Sequence, residues 1–200
     1  MIVLGLTGSV GMGKSTTARL FAEEGAWLWD ADAAVHRLYA PGGAAVAAIA
    51  ALMPEAVRDG AVDRDRLRAA VTADPDLLPR LEAAVHPLVQ ADRAAFLDRA
   101  AAEGAAVALC DIPLLFETGD PASFNAVIVV SAPEAVQRAR VLARPGMTEA
   151  AFQRILSRQM PDAEKRARAD FVIDTSRGIE PARAEVRAVL GAVQGSSANA

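Results

Sequence analysis

A glycine-rich segment near the start of the chain has the residue types that bind a phosphate group. Residues 8–15 read Gly-Ser-Val-Gly-Met-Gly-Lys-Ser. Glycines let successive backbone N–H groups turn toward phosphate oxygens, and the start of a following helix adds partial positive charge. The lysine ammonium can pair with the outer phosphates, and the serine hydroxyl is a hard oxygen ligand for Mg²⁺. The pattern therefore predicts a Walker A loop that binds Mg-ATP.

The flanks of this loop agree with that prediction. An apolar run at residues 2–6 predicts a strand before it, and a helical pattern over residues 14–24 follows. The alternative is a structural glycine turn, and the strand–loop–helix context argues against it. We expect the serine to ligate Mg²⁺, with Asp111 reaching the ion through water. The residues expected to contact the ATP phosphates are Gly8, Ser9, Val10, Gly11, Met12, Gly13, Lys14, Ser15 and Thr16.

Two aspartates follow the second apolar run. Residues 26–30 read as a short strand that ends on Asp30, and Asp32 lies two positions later. In extended geometry both carboxylates would point to one side, toward a cleft beside the glycine loop. A kinase needs a carboxylate that orients the attacking hydroxyl, and Asp32 is our candidate for this catalytic role. The pair is equally consistent with the N-cap of a helix at residues 33–38, which would also lie in the cleft.

A third carboxylate ends another apolar run. Residues 107–110 followed by Asp111 resemble a Walker B strand, whose aspartate reaches Mg²⁺. The next residues, 112–117, are too apolar for an ordinary surface loop and end on Glu117. They are consistent with the lining of a substrate pocket that has Glu117 as a polar anchor. Ordinary packing under neighbouring helices explains the same composition.

Arginines recur at helical spacing in the second half of the chain. Gln137, Arg140 and Arg144 are spaced by three and four, which predicts one helix face. Arg154 and Arg158 form a second set after a break at residues 145–147. Phosphoryl-transfer enzymes commonly carry such arginines on a mobile lid that closes over ATP. A solvated charged face is the alternative interpretation.

Apolar runs alternate with helical patterns along most of the chain. The clearest helices are predicted at residues 133–143, 148–157 and 181–193. Strands separated by helices predict an α/β fold with a parallel sheet. Residues 33–104 contain no convincing strand and are interpreted as a helical insertion, and residues 195–200 are expected to be disordered. The five runs interpreted as strands are residues 2–6, 26–30, 107–111, 126–131 and 171–174.

Composition excludes several classes of protein. The chain has 200 residues and a formal net charge of −4, which argues against a general nucleic-acid-binding protein. No apolar stretch is suited to crossing a membrane and the first residues lack a basic signal region, so we expect a soluble, cytoplasmic protein, with a monomer favoured over an oligomer. The only cysteine, Cys110, rules out an internal disulfide. His36 and His86 lack partners at metal-binding spacing and are expected to be structural.

These segments together resemble the dephospho-CoA kinase family, over nearly the whole chain up to about Leu190. The Walker A loop is common to many kinases. The stretch Asp-Ile-Pro-Leu-Leu-Phe-Glu at residues 111–117 and the pair His86-Pro87 are much more specific to this family. Further family-like positions occur in the family's order at residues 5–8, 30–32, 36–42, 59–64, 81–82, 137, 140, 144, 159, 165 and 169–170.

The resemblance implies ATP-dependent phosphorylation of the ribose 3′-hydroxyl of dephospho-CoA, with Mg²⁺. It implies that Asp32 faces this hydroxyl and that Arg140 and Arg144 are catalytic contacts on the lid and the phosphate side. It also implies a single domain over residues 1–194: a five-stranded parallel P-loop kinase core, a helical acceptor-binding insertion (33–104) and a small helical lid (138–165). The residues expected to bind the acceptor are Asp32, His86, Asp111, Pro113, Leu114, Leu115 and Glu117.

One position departs from the family's pattern, and two other kinds of P-loop protein are alternatives. Thr175 stands where the family typically has asparagine, in a loop that would border the adenine. Another small-molecule kinase on the same scaffold, such as a nucleoside monophosphate or shikimate kinase, would share everything except the acceptor segments. A GTPase-like switch would need a guanine-reading Asn-Lys-x-Asp motif, which is absent.

Overall fold

Short buried strands and longer helices alternate along the chain. The structure is a computed structural model that describes residues 1–197, with side chains as far as residue 195. The strands are β1 (Ile2–Thr7), β2 (Trp27–Asp30), β3 (Val57–Arg58), β4 (Ala61–Val62), β5 (Val107–Asp111), β6 (Ala126–Ser131) and β7 (Phe171–Asp174). The helices are α1 (Lys14–Glu23), α2 (Ala31–Tyr39), α3 (Ala45–Leu52), α4 (Arg64–Ala73), α5 (Leu77–Ala102), α6 (Leu115–Thr118), α7 (Glu134–Leu142), α8 (Glu149–Leu156), α9 (Asp162–Arg168) and α10 (Ile179–Ser197).

Five of the strands form one sheet in the order β2-β5-β1-β6-β7. β1 pairs in parallel with β5 and with β6, and β6 pairs in parallel with β7. The register places Leu6 of β1 beside Asp111, the last residue of β5. The carboxyl ends of parallel strands share one edge, where open α/β sheets bind their ligands. The predicted five-stranded parallel core is confirmed.

The middle strands are mostly apolar because helices cover the sheet. Every residue of β5 and β6 is buried, the pattern expected of parallel strands covered on both faces. Phe21 of α1 and Val186 of α10 are fully buried in the same cluster as the strand side chains. Charged pairs join these two helices at the surface, where Arg183 and Arg187 bind Glu24. Within residues 1–197, no helix is long and apolar enough to cross a membrane.

The chain divides into two compact units. One contains Met1–Trp29 and the chain from Ala100 onward, and the other contains Asp30–Arg99. The second unit has its own apolar core, in which Leu38, Ile49, Leu67 and Val85 come from four different helices. Each unit thus has a separate set of buried side chains.

One prediction for the second unit is wrong, since it does contain strands. β3 and β4 form an antiparallel hairpin whose turn residues, Asp59 and Gly60, have φ of 50° and 75°. Two left-handed residues in succession are typical of the tight turn that an Asp-Gly pair favours. The strands escaped prediction because two residues are too few to show an alternating pattern.

Three further details differ from the sequence-based expectations. Arg144 and Arg158 lie just beyond the ends of α7 and α8, although their spacing predicted helix faces shared with Arg140 and Arg154. α7 ends before a Pro-Gly pair and α8 ends shortly before Pro161. His86, which was expected to be structural, is exposed within the continuous helix α5, and this helix accommodates Pro87 on an exposed face. The predicted disordered tail begins at residue 195, whereas α10 continues to Ser197, and residues 198–200 lie outside the described residues.

Candidate phosphate-binding site

The glycine loop lies between β1 and α1, and three of its positions require glycine for structural reasons. Gly11 and Gly13 have φ of 78° and 92°, a left-handed conformation that glycine adopts without strain. Gly13 is also the N-cap of α1, so the unpaired N–H groups of the first helical turn open into the loop. A Cβ on Gly8 would lie 2.7 Å from the carbonyl oxygen of Val130, so β6 leaves no room for a side chain there.

Lys14 and Asp111 meet at the carboxyl edge of the sheet. The Lys14 Nζ atom lies 2.5 Å from Asp111 Oδ1, a short charge-assisted hydrogen bond. The Asp111 side chain is only 2% exposed and the Lys14 side chain 15%. A carboxylate this buried would be costly without a nearby positive charge. The end of β5 and the start of α1 are therefore joined by a buried ion pair.

Ser15 and Asp111 provide oxygen atoms that fit a magnesium ion. Ser15 is the second residue of α1 and is exposed at the mouth of the loop. Mg²⁺ prefers hard oxygen ligands and commonly uses few protein groups besides phosphate and water. Among residues 1–197, no group of three or more His, Cys, Asp or Glu side chains could hold a metal on its own. The donor set suits an ion that is bound together with nucleotide phosphates.

Thr175, directly after β7, binds the loop from the side of the sheet. Its hydroxyl donates to the Met12 carbonyl oxygen at 2.7 Å and accepts a hydrogen bond from Arg140 Nη1 at 2.9 Å. Arg140 Nη2 also donates to the Thr175 carbonyl oxygen at 2.8 Å. The Thr175 N–H in turn donates to the carbonyl oxygen of Ser131, at the end of β6. One threonine therefore connects the loop, the sheet and an arginine of α7.

Two glutamines bind the loop at Val10. Gln137 of α7 donates from Nε2 to the Val10 carbonyl oxygen at 2.8 Å. The Val10 N–H donates to Oε1 of Gln159, which follows α8, at 3.1 Å. Gln137 is 5% exposed, so its amide is a buried polar group whose hydrogen bond is part of the packed structure.

A cavity of about 330 Å³ opens beside the loop. Arg140 and Arg144 both contribute to it, which places two guanidinium groups next to the glycine loop. Arg144 is exposed, and its side chain has no hydrogen bond or ion pair with residues 1–195. The full lining consists of Gly11, Gly13, Thr16, Thr17, Arg19, Arg140, Arg144, Thr175, Gly178, Ile179 and Ala182.

The turn that carries Thr175 is held by its preceding residue, Asp174. Asp174 Oδ1 accepts a hydrogen bond from the Ser176 N–H at 2.8 Å. This hydrogen bond, with the nearby positive charge of Arg177, holds the pKa of the Asp174 carboxyl below its usual value. The ionised carboxylate therefore stabilises the turn in which Thr175 sits.

The segment after Asp111 is only partly available to a ligand. Pro113 is half-buried and its carbonyl oxygen accepts a hydrogen bond from the Thr7 hydroxyl at 3.0 Å. Leu114 is exposed, whereas Leu115 is fully buried and would lie 2.9 Å from a Cβ on Gly5. Leu115 therefore packs against the middle strand of the sheet.

Glu117 is engaged by two groups of the protein. Its Oε1 accepts a hydrogen bond from the Met160 N–H at 2.8 Å and lies 2.8 Å from the Nζ of Lys165. Lys165 is completely buried, and although the two charges are close, the ammonium is not aligned for a hydrogen bond with any group in residues 1–195. The pair joins α6 to α9 through a buried ion pair.

The remaining predicted site residues belong to the second unit. Asp30 caps α2, with Oδ1 accepting from the Ala33 N–H at 2.9 Å. Asp32 lies in the first turn of that helix and is exposed. The cap position of α2 is therefore filled by Asp30 and not by Asp32. His86 is exposed on α5.

Sequence reasoning assigned no role to Gln159 or Lys165, and only a helix face to Gln137. A signal for Gln137 was available: it lies four residues before the buried Val141 on α7, and a polar side chain on an apolar helix face must find a partner. Gln159 and Lys165 have no such signal, since their partners are far away in the sequence.

The sequence is similar to a known protein family over most of its length. The family model described as dephospho-CoA kinase matches residues 2–180. A dephospho-CoA kinase of Cereibacter sphaeroides is 62% identical over 191 residues, covering 96% of this chain and 95% of the relative. A dephospho-CoA kinase of Mesorhizobium japonicum is 56% identical over 195 residues, covering 98% of both chains.

Solved structures share the fold. A protein from Thermus thermophilus superposes with a TM-score of 0.80 at 35% identity, covering 95% of this chain and 96% of that chain. A dephospho-CoA kinase from Campylobacter jejuni gives a TM-score of 0.72 and covers 98% of both chains. Its 23% identity limits that likeness to the fold.

Proposed function

The chain belongs to the dephospho-CoA kinase family, and we propose that it transfers the γ-phosphoryl group of ATP to the ribose 3′-hydroxyl of dephospho-CoA. The products are coenzyme A and ADP, and the reaction is the last step of coenzyme A biosynthesis. The observation that carries this proposal is the 62% identity to a dephospho-CoA kinase over nearly the full length of both chains. The phosphate loop and the Lys14–Asp111 pair supply the chemistry that such a transfer needs.

ATP phosphates would lie in the glycine loop. The N–H groups at Gly11, Gly13 and the start of α1 are the donors that this loop offers to phosphate oxygens. Lys14 adds a positive charge at the same place, where charge develops as the phosphoryl group leaves ADP. The base would occupy the 330 Å³ cavity beside Arg140 and Gly178.

Magnesium would be held by the Ser15 hydroxyl, with Asp111 reaching it through water. When bound, the ion neutralises phosphate charge and orients the transferred group. Asp111 has two roles in this proposal, since its carboxylate also fixes the position of the Lys14 ammonium.

Asp32 would orient the 3′-hydroxyl and accept its proton. The support is the position of Asp32 two residues after β2, in the first turn of α2, with an exposed carboxylate that is not used as the helix cap. A carboxylate near a hydroxyl both aligns the oxygen lone pair and takes the proton as the new O–P bond forms. The proton would thus pass from the nucleophile to the carboxylate.

The acceptor would contact residues 111–117, as the resemblance to the family implies. Leu114 is the exposed apolar side chain of that segment, while Leu115 and Glu117 support it from beneath through packing and the ion pair with Lys165. His86 and Asp32 are the further acceptor contacts that the resemblance to the family implies. Arg144, exposed and without an ionic partner in residues 1–195, would be available to the phosphates when the lid region (138–165) closes.

An acceptor panel tests this function. The protein is incubated with Mg-ATP and, separately, dephospho-CoA, adenosine, shikimate, gluconate or a nucleoside monophosphate, and ADP release is measured. Dephospho-CoA is expected to stimulate ADP release strongly, and mass spectrometry should show one added phosphoryl group on the ribose. Stimulation by another acceptor with none by dephospho-CoA would overturn the assignment.

A further inference from the structure

Val10 is bound at both of its backbone polar groups by side chains outside the loop. Gln159 accepts a hydrogen bond from its N–H at 3.1 Å, and Gln137 donates one to its carbonyl oxygen at 2.8 Å. The direction of each amide is fixed by its partner, because an N–H must meet an oxygen and a carbonyl must meet an NH₂ group. The two glutamines therefore use opposite ends of the same functional group.

The contact at the Val10 carbonyl determines where the next N–H points. The peptide between Val10 and Gly11 is planar and trans, so its C=O and N–H are directed to opposite sides. Because the carbonyl is directed outward to Gln137, the Gly11 N–H is directed inward. Gly11 is buried, and its N–H has no hydrogen-bond partner within the described part of the chain. It is an oriented donor available to a phosphate oxygen.

The contact at the Val10 N–H fixes the preceding peptide. The carbonyl oxygen of Ser9, on the other side of that peptide, accepts a hydrogen bond from the Met12 N–H at 3.1 Å. The Ser9–Val10 peptide is therefore held from both sides, by Gln159 outside and by Met12 across the turn. Consequently the Val10 N–H is committed to Gln159, and the Gly11 N–H is the oriented donor that follows it in the loop.

We propose that Gln137 and Gln159 are positioning residues that orient the phosphate-binding N–H groups of the loop by binding its outer surface. Gln137 precedes α8 in the sequence and Gln159 follows it. The segments on both sides of α8 are therefore hydrogen-bonded to the same loop residue, Val10. The proposal rests on the proposed function only in placing ATP phosphates in the loop, and it is independent of the acceptor.

The direct test measures ATP and adenosine affinity in the absence of an acceptor. Gln137→Met and Gln159→Met remove the amides with little change of shape. Loss of one orienting hydrogen bond should weaken ATP binding by about tenfold for Gln137→Met, and by somewhat less for Gln159→Met. Adenosine affinity should stay within about twofold, since adenosine has no phosphate to accept hydrogen bonds from the loop N–H groups. Equal loss for ATP and adenosine, or no loss for ATP, would contradict the proposal.

A matched pair of charge variants separates hydrogen-bond direction from simple electrostatics. Gln137→Glu and Gln159→Glu add the same charge beside the same residue. The carboxylate at 159 can still accept from the Val10 N–H, whereas the carboxylate at 137 faces a carbonyl oxygen with no donor. We expect the Gln137→Glu variant to lose at least about tenfold more ATP affinity than Gln159→Glu. Equal losses would leave only a charge effect and would refute the orienting role.

Urea unfolding of each variant shows whether weaker ATP binding arises merely from a loss of folded protein. We expect the ratio of ATP affinity to adenosine affinity to fall in variants that remain folded. If Gln137, which is 5% exposed, cannot be replaced without unfolding, the Gln159 variants still decide the question, because Gln159 is only half-buried. A failed acceptor assay would not affect these binding measurements, so the two proposals can fail separately.

Discussion

The Lys14 ammonium lies 2.5 Å from the Asp111 carboxylate, so the cation of the phosphate loop is already fixed by a buried partner. An ammonium has three N–H donors, and this contact uses one of them. Lys14 can therefore reach a phosphate without losing Asp111. The side chain does not have to be ordered anew when nucleotide binds, which lowers the entropy cost of binding.

Lys14→Ala should damage both catalysis and stability. Removing the lysine leaves Asp111 buried without this positive charge, and breaking a buried ion pair costs about 3–5 kcal/mol. We expect a loss of stability of that order in urea unfolding, together with weaker ATP binding and slower transfer. The double variant Lys14→Ala/Asp111→Asn should recover part of the stability and none of the activity. Full stability of the single variant would show that the Lys14 ammonium does not offset the cost of burying the Asp111 carboxylate.

Asp32→Asn should lose most turnover, by roughly 10² or more, because asparagine cannot accept the proton of the hydroxyl. ATP affinity should be nearly unchanged. Asp30→Asn is the matched control, since an asparagine Oδ1 can still accept from the Ala33 N–H and cap α2. Steady-state kinetics of both variants check this expectation. Near-normal turnover of Asp32→Asn would show that Asp32 is not the base.

Thr175→Val should weaken ATP binding by roughly three- to tenfold, since it removes a hydroxyl with two hydrogen bonds while preserving shape. The lost contacts are those with the Met12 carbonyl and the Arg140 guanidinium. Thr175→Ser retains the hydroxyl and should stay close to the unaltered protein. Isothermal titration of ATP measures the difference, and identical affinities for the valine and serine variants would contradict the role of the hydroxyl.

Glu117→Gln should destabilise the protein by about 3 kcal/mol, because it leaves the Lys165 ammonium buried without its carboxylate. Lys165 is completely buried and Glu117 only 14% exposed, so solvent cannot compensate either charge well. Replacing both, as Glu117→Gln/Lys165→Met, should restore much of the free energy of unfolding. A double variant no more stable than the single one would show that the loss arises from packing.

Asp174 should contribute to the acid sensitivity of the fold. Its pKa is held below the ordinary 3.8, chiefly by the hydrogen bond from Ser176, so the ionised form stabilises the folded state. This contribution is present above the unfolded pKa and is lost as pH falls through the folded pKa. The stability difference between the unaltered protein and Asp174→Asn should therefore shrink in acid. An NMR titration that places the Asp174 pKa above 3.8 would reverse this expectation.

Features that depend on neighbours in the sequence could be predicted. The bounds of β5, β6 and β7 agree with the runs predicted from the sequence. In β5 and β6 every residue is buried, and parallel strands covered on both faces form near-continuous apolar runs. Gly11 and Gly13 could be assigned to a phosphate loop because motif spacing reports a backbone conformation. The β3–β4 hairpin could not be predicted, since its strands have two residues each.

Long-range contacts of the site lay beyond sequence reasoning. Gln159 is 149 positions from Val10, and nothing near either residue signals the hydrogen bond between them. Glu117 was interpreted as a ligand anchor because a carboxylate after an apolar run stands out in a sequence. The structure shows that a buried lysine of α9 engages it, and the position of Lys165 is determined by tertiary packing.

The strand order has a consequence for synthesis of the chain on the ribosome. β1 is made first, yet its partners β5 and β6 begin at residues 107 and 126. At roughly 5–20 residues per second, this apolar strand emerges about 5–20 s before its first partner. During that interval its unpaired edges resemble the segments that chaperones recognise and that aggregate at high expression. Slower translation or lower temperature during production should affect the yield of this protein more than that of a helical bundle of equal length.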